Sequence, residues 1–142
     1  MKRHSFPLGR VLDWKTVIAQ QEQTSLEALE RKRNDIQSSL LSLDSAITGL
    51  SRASQDAVSG HELASTARAR AAVQRQKALT ERDHASCQEQ IALQQERFRT
   101  AETERRLLDK LHQRSRSQWF ANMTRETDAQ ASELYLGVWN RR

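Results

Sequence analysis

The chain has 142 residues, of which 37% are apolar and 29% charged, with four glycines and one proline. So lean a composition excludes a thick globular core, and the scarcity of breakers favours long helices built from Ala, Gln, Glu, Arg and Leu. The net charge of +5 is mixed in sign along the chain, which favours an acidic protein surface over nucleic acid as a partner.

The opening "MKRH" is basic, but no apolar run of signal-core length follows it. Nor is there an apolar stretch of about 18 residues, so nothing is expected to span a membrane. An apolar knot comes next, "FPLGRVLDWK", with Pro7 suited to a first helical turn. From it the first helix is expected over about 7–58. Its apolar residues recur in alternating steps of three and four: Leu26, Leu29, Ile36, Leu40, Leu43, Ile47, Leu50 and Ala57, with Arg33 and Ser54 as polar exceptions. Read backwards, the same steps give Glu22, Ala19, Lys15, Leu12 and Leu8. This is a period of 3.5, the seam of a coiled coil.

The run breaks at "VSGHE", residues 58–62, which places a turn at about 59–61. Gly60 suits a left-handed helix end, and Ser59 with Glu62 has the S-x-x-E spacing of a capping box. Gly49 is a rival break, but the seam runs through it. A second helix is expected over about 62–135, with a tail over 136–142. Its stripe is weaker: Leu63, Ala67, Ala71 and Ala78, then Ile91, Phe98, Ala101, Leu108 and Leu111, diluted by His84, Gln94 and Arg105.

Folding the chain at residue 60 pairs Leu12 with Leu108, Leu8 with Leu111, Leu29 with Ile91 and Ile47 with Val73. The expected fold is therefore all-α: one domain, a long antiparallel two-helix coiled-coil hairpin. At 1.5 Å per residue the helices would run about 75 Å and about 110 Å, so the second overhangs the first. Six of the seven aromatics (Phe6, Trp14, Phe98, Trp119, Phe120, Tyr135 and Trp139, all but Phe98 near a terminus) gather at the open end. The overhang adds Met123, Leu134, Leu136 and Val138. Exposed large apolar groups mark an interface. The overhang could also fold back as a short third helix or pair with a second copy.

Together "FPLGRVLDWK" and "RLLDKLHQRSRSQWFANMTRETDAQASELYLGVW" resemble the two ends of the FliJ family, the stalk proteins of the flagellar type III export ATPase. The likeness lies in Leu108 and Leu111, Arg114 and Arg116, Trp119, the acidic Glu126 and Asp128, and the apolar run from Leu134 to Trp139. It implies a two-helix shaft similar to that of rotary ATPases. The partners implied are the export ATPase hexamer, the cytoplasmic domain of the export gate and empty export chaperones. The place implied is the cytoplasmic face of the inner membrane. On this resemblance the ATPase-facing tip comprises Phe6, Leu8, Val11, Leu12, Trp14, Leu108, Leu111, Arg114, Trp119 and Phe120. A basic collar of Arg105, Arg106, Lys110 and Arg116 flanks it, and Leu63, Ala67, Ala71, Ala78 and His84 would meet the gate.

No chemistry-bearing constellation accompanies this layout. His4, His61, His84 and His112 form no H-E-x-x-H, and the isolated glycines form no phosphate loop. Cys87 lies one turn from His84 but has no cleft or orienting group around it, so it reads as a small seam residue. A lone cysteine makes no internal disulfide and fits a reducing compartment. Pairs such as Glu27–Arg31 and Glu102–Arg106 read as solvated helix faces. No catalytic residue, cofactor, metal or small-molecule ligand is expected, and the protein reads as a non-enzyme. The equivalent stalk of a virulence-type secretion system shares this layout. A basic coiled-coil nucleic-acid binder would bind with steep salt dependence, and a membrane-surface helix would bind liposomes through residues 119–142.

Overall fold

The computed structural model describes residues 3–140. Two α-helices, α1 (Gly9–Gln55) and α2 (Gly60–Trp139), account for nearly all of them, and no strand occurs among the described residues. The chain is an all-α helical hairpin. Its contacts cluster into two units, one of residues 21–98 and one combining residues up to 20 with those from 99 onward.

Pro7 does not enter the helix. It occupies the second position of a tight turn in which the Gly9 N–H donates to the Phe6 carbonyl at 3.0 Å. Proline's fixed φ suits that position. Helical bonding begins when the Leu12 N–H donates to the Leu8 carbonyl at 2.9 Å. Gly49 lies within α1, without a break.

At the other end α1 stops at Gln55, and Gly60 is the first residue of α2. No described glycine has a positive φ, so the left-handed ending at Gly60 is not used. The capping box is used instead. The Glu62 N–H donates to Ser59 Oγ at 3.2 Å, and the Glu62 carboxylate accepts the Val58 N–H at 3.0 Å. One of the donors that the new helix leaves open is thereby satisfied, along with the Val58 N–H of the residue before the cap, and Glu62 complements the helix dipole. α2 continues past Tyr135 to Trp139, and the last two residues of the expected tail, Arg141 and Arg142, lie outside the described residues.

In the unit of residues 21–98 the 3–4 seam of α1 is covered at Glu22, Leu26, Leu29, Arg33, Ile36, Leu40, Leu43, Ile47, Leu50 and Ser54, with Ala57 covered just beyond the helix and Glu30 and Ser51 part-covered beside the seam. On α2 the seam takes a different phase from the one expected. Leu63, Ala67, Ala71 and Ala78 are exposed, Leu63 by half. The covered residues are Thr66, Val73, Lys77, Thr80, His84, Cys87, Ile91, Gln94 and Phe98. The stripe must run continuously back from Ile91 and Phe98. Stepping by four and three from Ile91 lands on Cys87, His84, Thr80, Lys77 and Val73, whatever their polarity. A two-helix seam is open on both sides, so a lysine can keep its stem in the seam and its ammonium in water.

Cross-helix contacts fix the register. Cys87 Sγ donates to the Leu29 carbonyl at 3.5 Å, so Leu29 lies level with Cys87, one turn from Ile91. Gln94 Nε2 donates to the Glu22 carbonyl at 3.0 Å and to its carboxylate. Lys77 Nζ meets Asp44 at 2.7 Å, and this hydrogen bond raises the lysine's pKa. Arg33 Nε and His84 Nε2 are buried without a hydrogen-bond partner.

Two substitutions test these local assignments by urea unfolding. Ser59→Ala should cost about 1 kcal/mol through loss of the cap. Gly49→Ala should gain about 0.5–1 kcal/mol, because the site is helical and an added Cβ meets nothing within 4 Å.

Candidate partner-binding surface

The second unit joins the amino-terminal residues to the carboxy-terminal part of α2. Its seam contains Leu12, Lys15 and Ala19 on α1, and Ala101, Arg105, Leu108, His112, Ser115 and Trp119 on α2. Lys15 Nζ bridges to Glu104 at 2.5 Å and sits 5.1 Å from the Trp14 ring centre.

The expected tip residues divide into two sets. Phe6, Leu12, Leu108 and Trp119 are half-buried and hold the unit together. Leu8, Val11, Trp14, Leu111 and Phe120 are exposed large apolar residues, and Arg114 is exposed with them. Val11, Trp14 and Ile18 recur at three- and four-residue steps beside the α1 seam, and Leu107 and Leu111 do so beside the α2 seam. Ile18 and Leu107 were not singled out from the sequence. Their one signal is this second 3–4 spacing, which the stronger seam overshadows. A groove lined by Phe6, Pro7, Leu8, Leu111, Arg114, Ser115 and Gln118 lies between the amino-terminal turn and α2.

The structure also joins residues that the sequence left apart. The His4 and His112 rings lie 5.7 Å apart, Phe6 lies 4.9 Å from His112, and His4 meets Trp119 edge-on at 5.9 Å. His4 Nε2 and Ser115 Oγ are hydrogen-bonded at 3.2 Å. Only the expected pairing of Leu8 with Leu111 hints that His4 would fall near this part of α2. Trp119 stacks edge-on against Phe120 at 5.0 Å, and the Arg116 guanidinium lies 5.7 Å from the Phe120 ring.

The basic collar is less cationic than its composition suggests. Arg105 lies in the seam and forks onto Glu102 through Nε at 3.0 Å and Nη2 at 2.7 Å, while Arg106 Nε adds a third bond at 3.0 Å. The Arg105 hydrogen bonds, aided by Arg106, pull the Glu102 carboxyl down to about 2. The same pairing raises Arg105. Arg106 stays exposed despite its bond, and Lys110, Arg114 and Arg116 are exposed with it.

Beyond Met123, every described residue of α2 is exposed. Leu134, Tyr135, Leu136, Val138 and Trp139 all lie in this stretch, with Trp139 70% exposed. At about 100° per residue these five side chains spread over a little more than half of the helix circumference, and the remaining face carries Gly137 with Gln130 and Glu133. The residues expected to meet the gate lie in the other unit: Leu63, Ala67, Ala71 and Ala78 are accessible, whereas His84 belongs to the seam. Among the described residues no group of three or more His, Cys, Asp or Glu converges to hold a metal, and no helix is long and apolar enough to cross a membrane.

Glu102→Gln should lower stability near neutral pH by about 0.5 kcal/mol, the size of a partly screened helix-surface network. The carboxyl is depressed on folding, so its contribution is full above the ordinary glutamate value of about 4.3 and fades as pH falls toward about 2. Thermal unfolding of both proteins across that window should show the difference shrinking to nothing. Comparison of the chain with known protein families, with curated proteins and with solved structures gave no match.

Proposed function

We propose that this chain is the non-enzymatic central stalk of a flagellar type III protein export ATPase complex. Its terminal unit would sit in the ATPase ring, promoting ring assembly and turnover, and the other unit would reach the export gate. The observation that carries this reading is the tip of α2, where Leu134, Tyr135, Leu136, Val138 and Trp139 expose a broad apolar face that no described residue of α1 covers. A flat docking partner covers one stripe of a helix. A face this wide is buried best in a concave socket that wraps more than half of the helix. The mouth or channel of a ring is such a socket.

Two further features support the reading. The flanking stripes Val11–Trp14–Ile18 and Leu107–Leu111 give the base of the tip apolar sides of its own. Lys110, Arg114 and Arg116 supply exposed positive charge where an acidic rim would meet it. A single shaft cannot contact six ring subunits equally, so its contacts would favour one subunit at a time and bias turnover. Exposed Leu63, Ala67 and Ala71, without an aromatic among them, suit a weak contact with the gate.

The test is ATP hydrolysis by the cognate flagellar export ATPase with and without this protein. The natural chain should stimulate hydrolysis and co-migrate with the ATPase. A Leu12→Asp, Trp119→Ala double variant should lose the stimulation. Leu134→Glu with Trp139→Ala should lose it too, with helix content unchanged by circular dichroism. Absence of both stimulation and co-migration for the natural chain would refute the stalk reading.

A further inference from the structure

Within the terminal unit, one stripe of α2 runs exposed from base to tip. It starts at Leu107 and Leu111 and advances in alternating steps of four and three residues to Tyr135 and Trp139, and every position on this path is exposed. It is distinct from the seam that faces α1, which takes Leu108, His112 and Ser115. Three of its members, Leu111, Arg114 and Gln118, line the groove beside the amino-terminal turn. Exposed Val11 extends that side onto α1. Val11 and Leu111 each precede a seam residue, Leu12 and His112, and positions of that kind share one side of an antiparallel pair. The stripe is about four and a half heptads long, enough for a coiled coil of its own.

We propose that a second copy of this chain covers the stripe, α2 against α2 and antiparallel, so that each tip lies in the groove of the other copy's base. Charge sets the direction. Arg106, Lys110, Arg114 and Arg116 are exposed along the base, whereas the tip carries Glu126, Asp128 and Glu133 against Arg125 alone. An antiparallel pair lays base on tip, and a parallel pair lays like charge on like. The stripe sets the register. Its steps read the same from either end, so a two-fold axis falls between Ala121 and Arg125, and both ends of the pair are equivalent. Leu107 then meets the second copy's Trp139, and Leu111 meets its Tyr135. Gln118 lies level with the second copy's Asp128, and Arg114 lies one turn from that carboxylate. Leu136, one position after Tyr135, turns toward α1 and covers Val11. The middle of the stripe is polar, which fixes the alignment at a cost in strength. Arg125 works against the pair, because it falls near the axis beside its own counterpart. The association is therefore reversible. It buries surfaces that the stalk reading gives to the ring, so the pair would open before ring entry. Self-association belongs to the isolated chain and holds or fails independently of that reading.

Sedimentation of the full chain tests it. The chain should be dimeric at about 50 µM and monomeric below about 1 µM, as suits a modest and partly polar interface. Arg114→Glu should weaken association about tenfold with helix content by circular dichroism unchanged, and adding Asp128→Arg should restore it. Arg125→Gln should tighten it. In a Cys87→Ala background, a Leu107→Cys copy mixed with a Trp139→Cys copy should form a disulfide-linked pair on mild oxidation, and neither copy alone should cross-link. A natural chain that stays monomeric at about 50 µM would overturn the proposal. So would a dimer that lacks the mixed cross-link or ignores Arg114→Glu. Should Arg114→Glu lose helix content, the mixed cross-link decides.

Discussion

Two helices packed against each other share a single stripe of contact, and the phase of that stripe is the constraint on which this structure depends. A larger bundle can shift a poor residue toward a second neighbour. A pair cannot: each residue is in the seam, beside it or in water. α1 supplies most of the large aliphatic side chains of the seam. α2 must follow with whatever its sequence places at the matching positions, including Lys77, Thr80, His84, Gln94 and Arg105. This is why, among the described residues, only Ala19, Cys87, Ile91 and Ala101 are buried apolar residues. It is also why register rests on polar contacts, Lys15–Glu104, Glu22–Gln94 and Asp44–Lys77, as well as on apolar fit. A polar residue in a seam costs stability but distinguishes one alignment from its neighbours one heptad away.

The same constraint decides what could be read from the sequence. The α1 seam was legible because Leu26 to Leu50 repeat a 3–4 spacing in large aliphatics that little else imitates. The capping box was legible because Ser59 and Glu62 stand at a fixed spacing beside a glycine. The first half of α2 was not legible. Its alanines are apolar but small, and they fall at irregular spacings on several faces. An apolar-residue search follows Ala67, Ala71 and Ala78 and misses the seam. Carrying the phase back from Ile91 and Phe98 finds it, which means that phase outranks hydrophobicity in a two-helix protein. Pro7 was placed one turn too far along for a related reason: it suits both a tight turn and a first helical turn, and only the Phe6–Gly9 hydrogen bond separates them.

The surface shows how far composition can mislead about charge. Five basic residues between 105 and 116 read as a cationic collar. Two of them close on Glu102, and one of those two lies in the seam. The exposed charge that remains, Lys110, Arg114 and Arg116, sits near the exposed apolar side chains Leu111 and Phe120 and not in a contiguous phosphate-binding row. This mixture suits a protein partner better than a nucleic-acid backbone, which rewards dense positive charge.

The seam also explains why the apolar tip exists at all. Along α2 the stripe that α1 covers ends where α1 and the turn before it run out. A helix released from its partner at that point would ordinarily turn polar on every face, as residues 124–133 largely do. From Leu134 onward it instead becomes apolar over more than half of its circumference, after nearly three turns of mainly polar sequence. Such a reversal cannot be the tail of the hairpin's own packing, since no described residue of α1 reaches it. Its apolar face begins about 15 Å beyond the last covered position and is wide enough to suit a concave partner. In the proposed stalk this spacing would separate a base, braced by Trp14, Leu111 and Phe120, from a tip held in the ring, with the intervening acidic residues Glu126, Asp128 and Glu133 left in water between them.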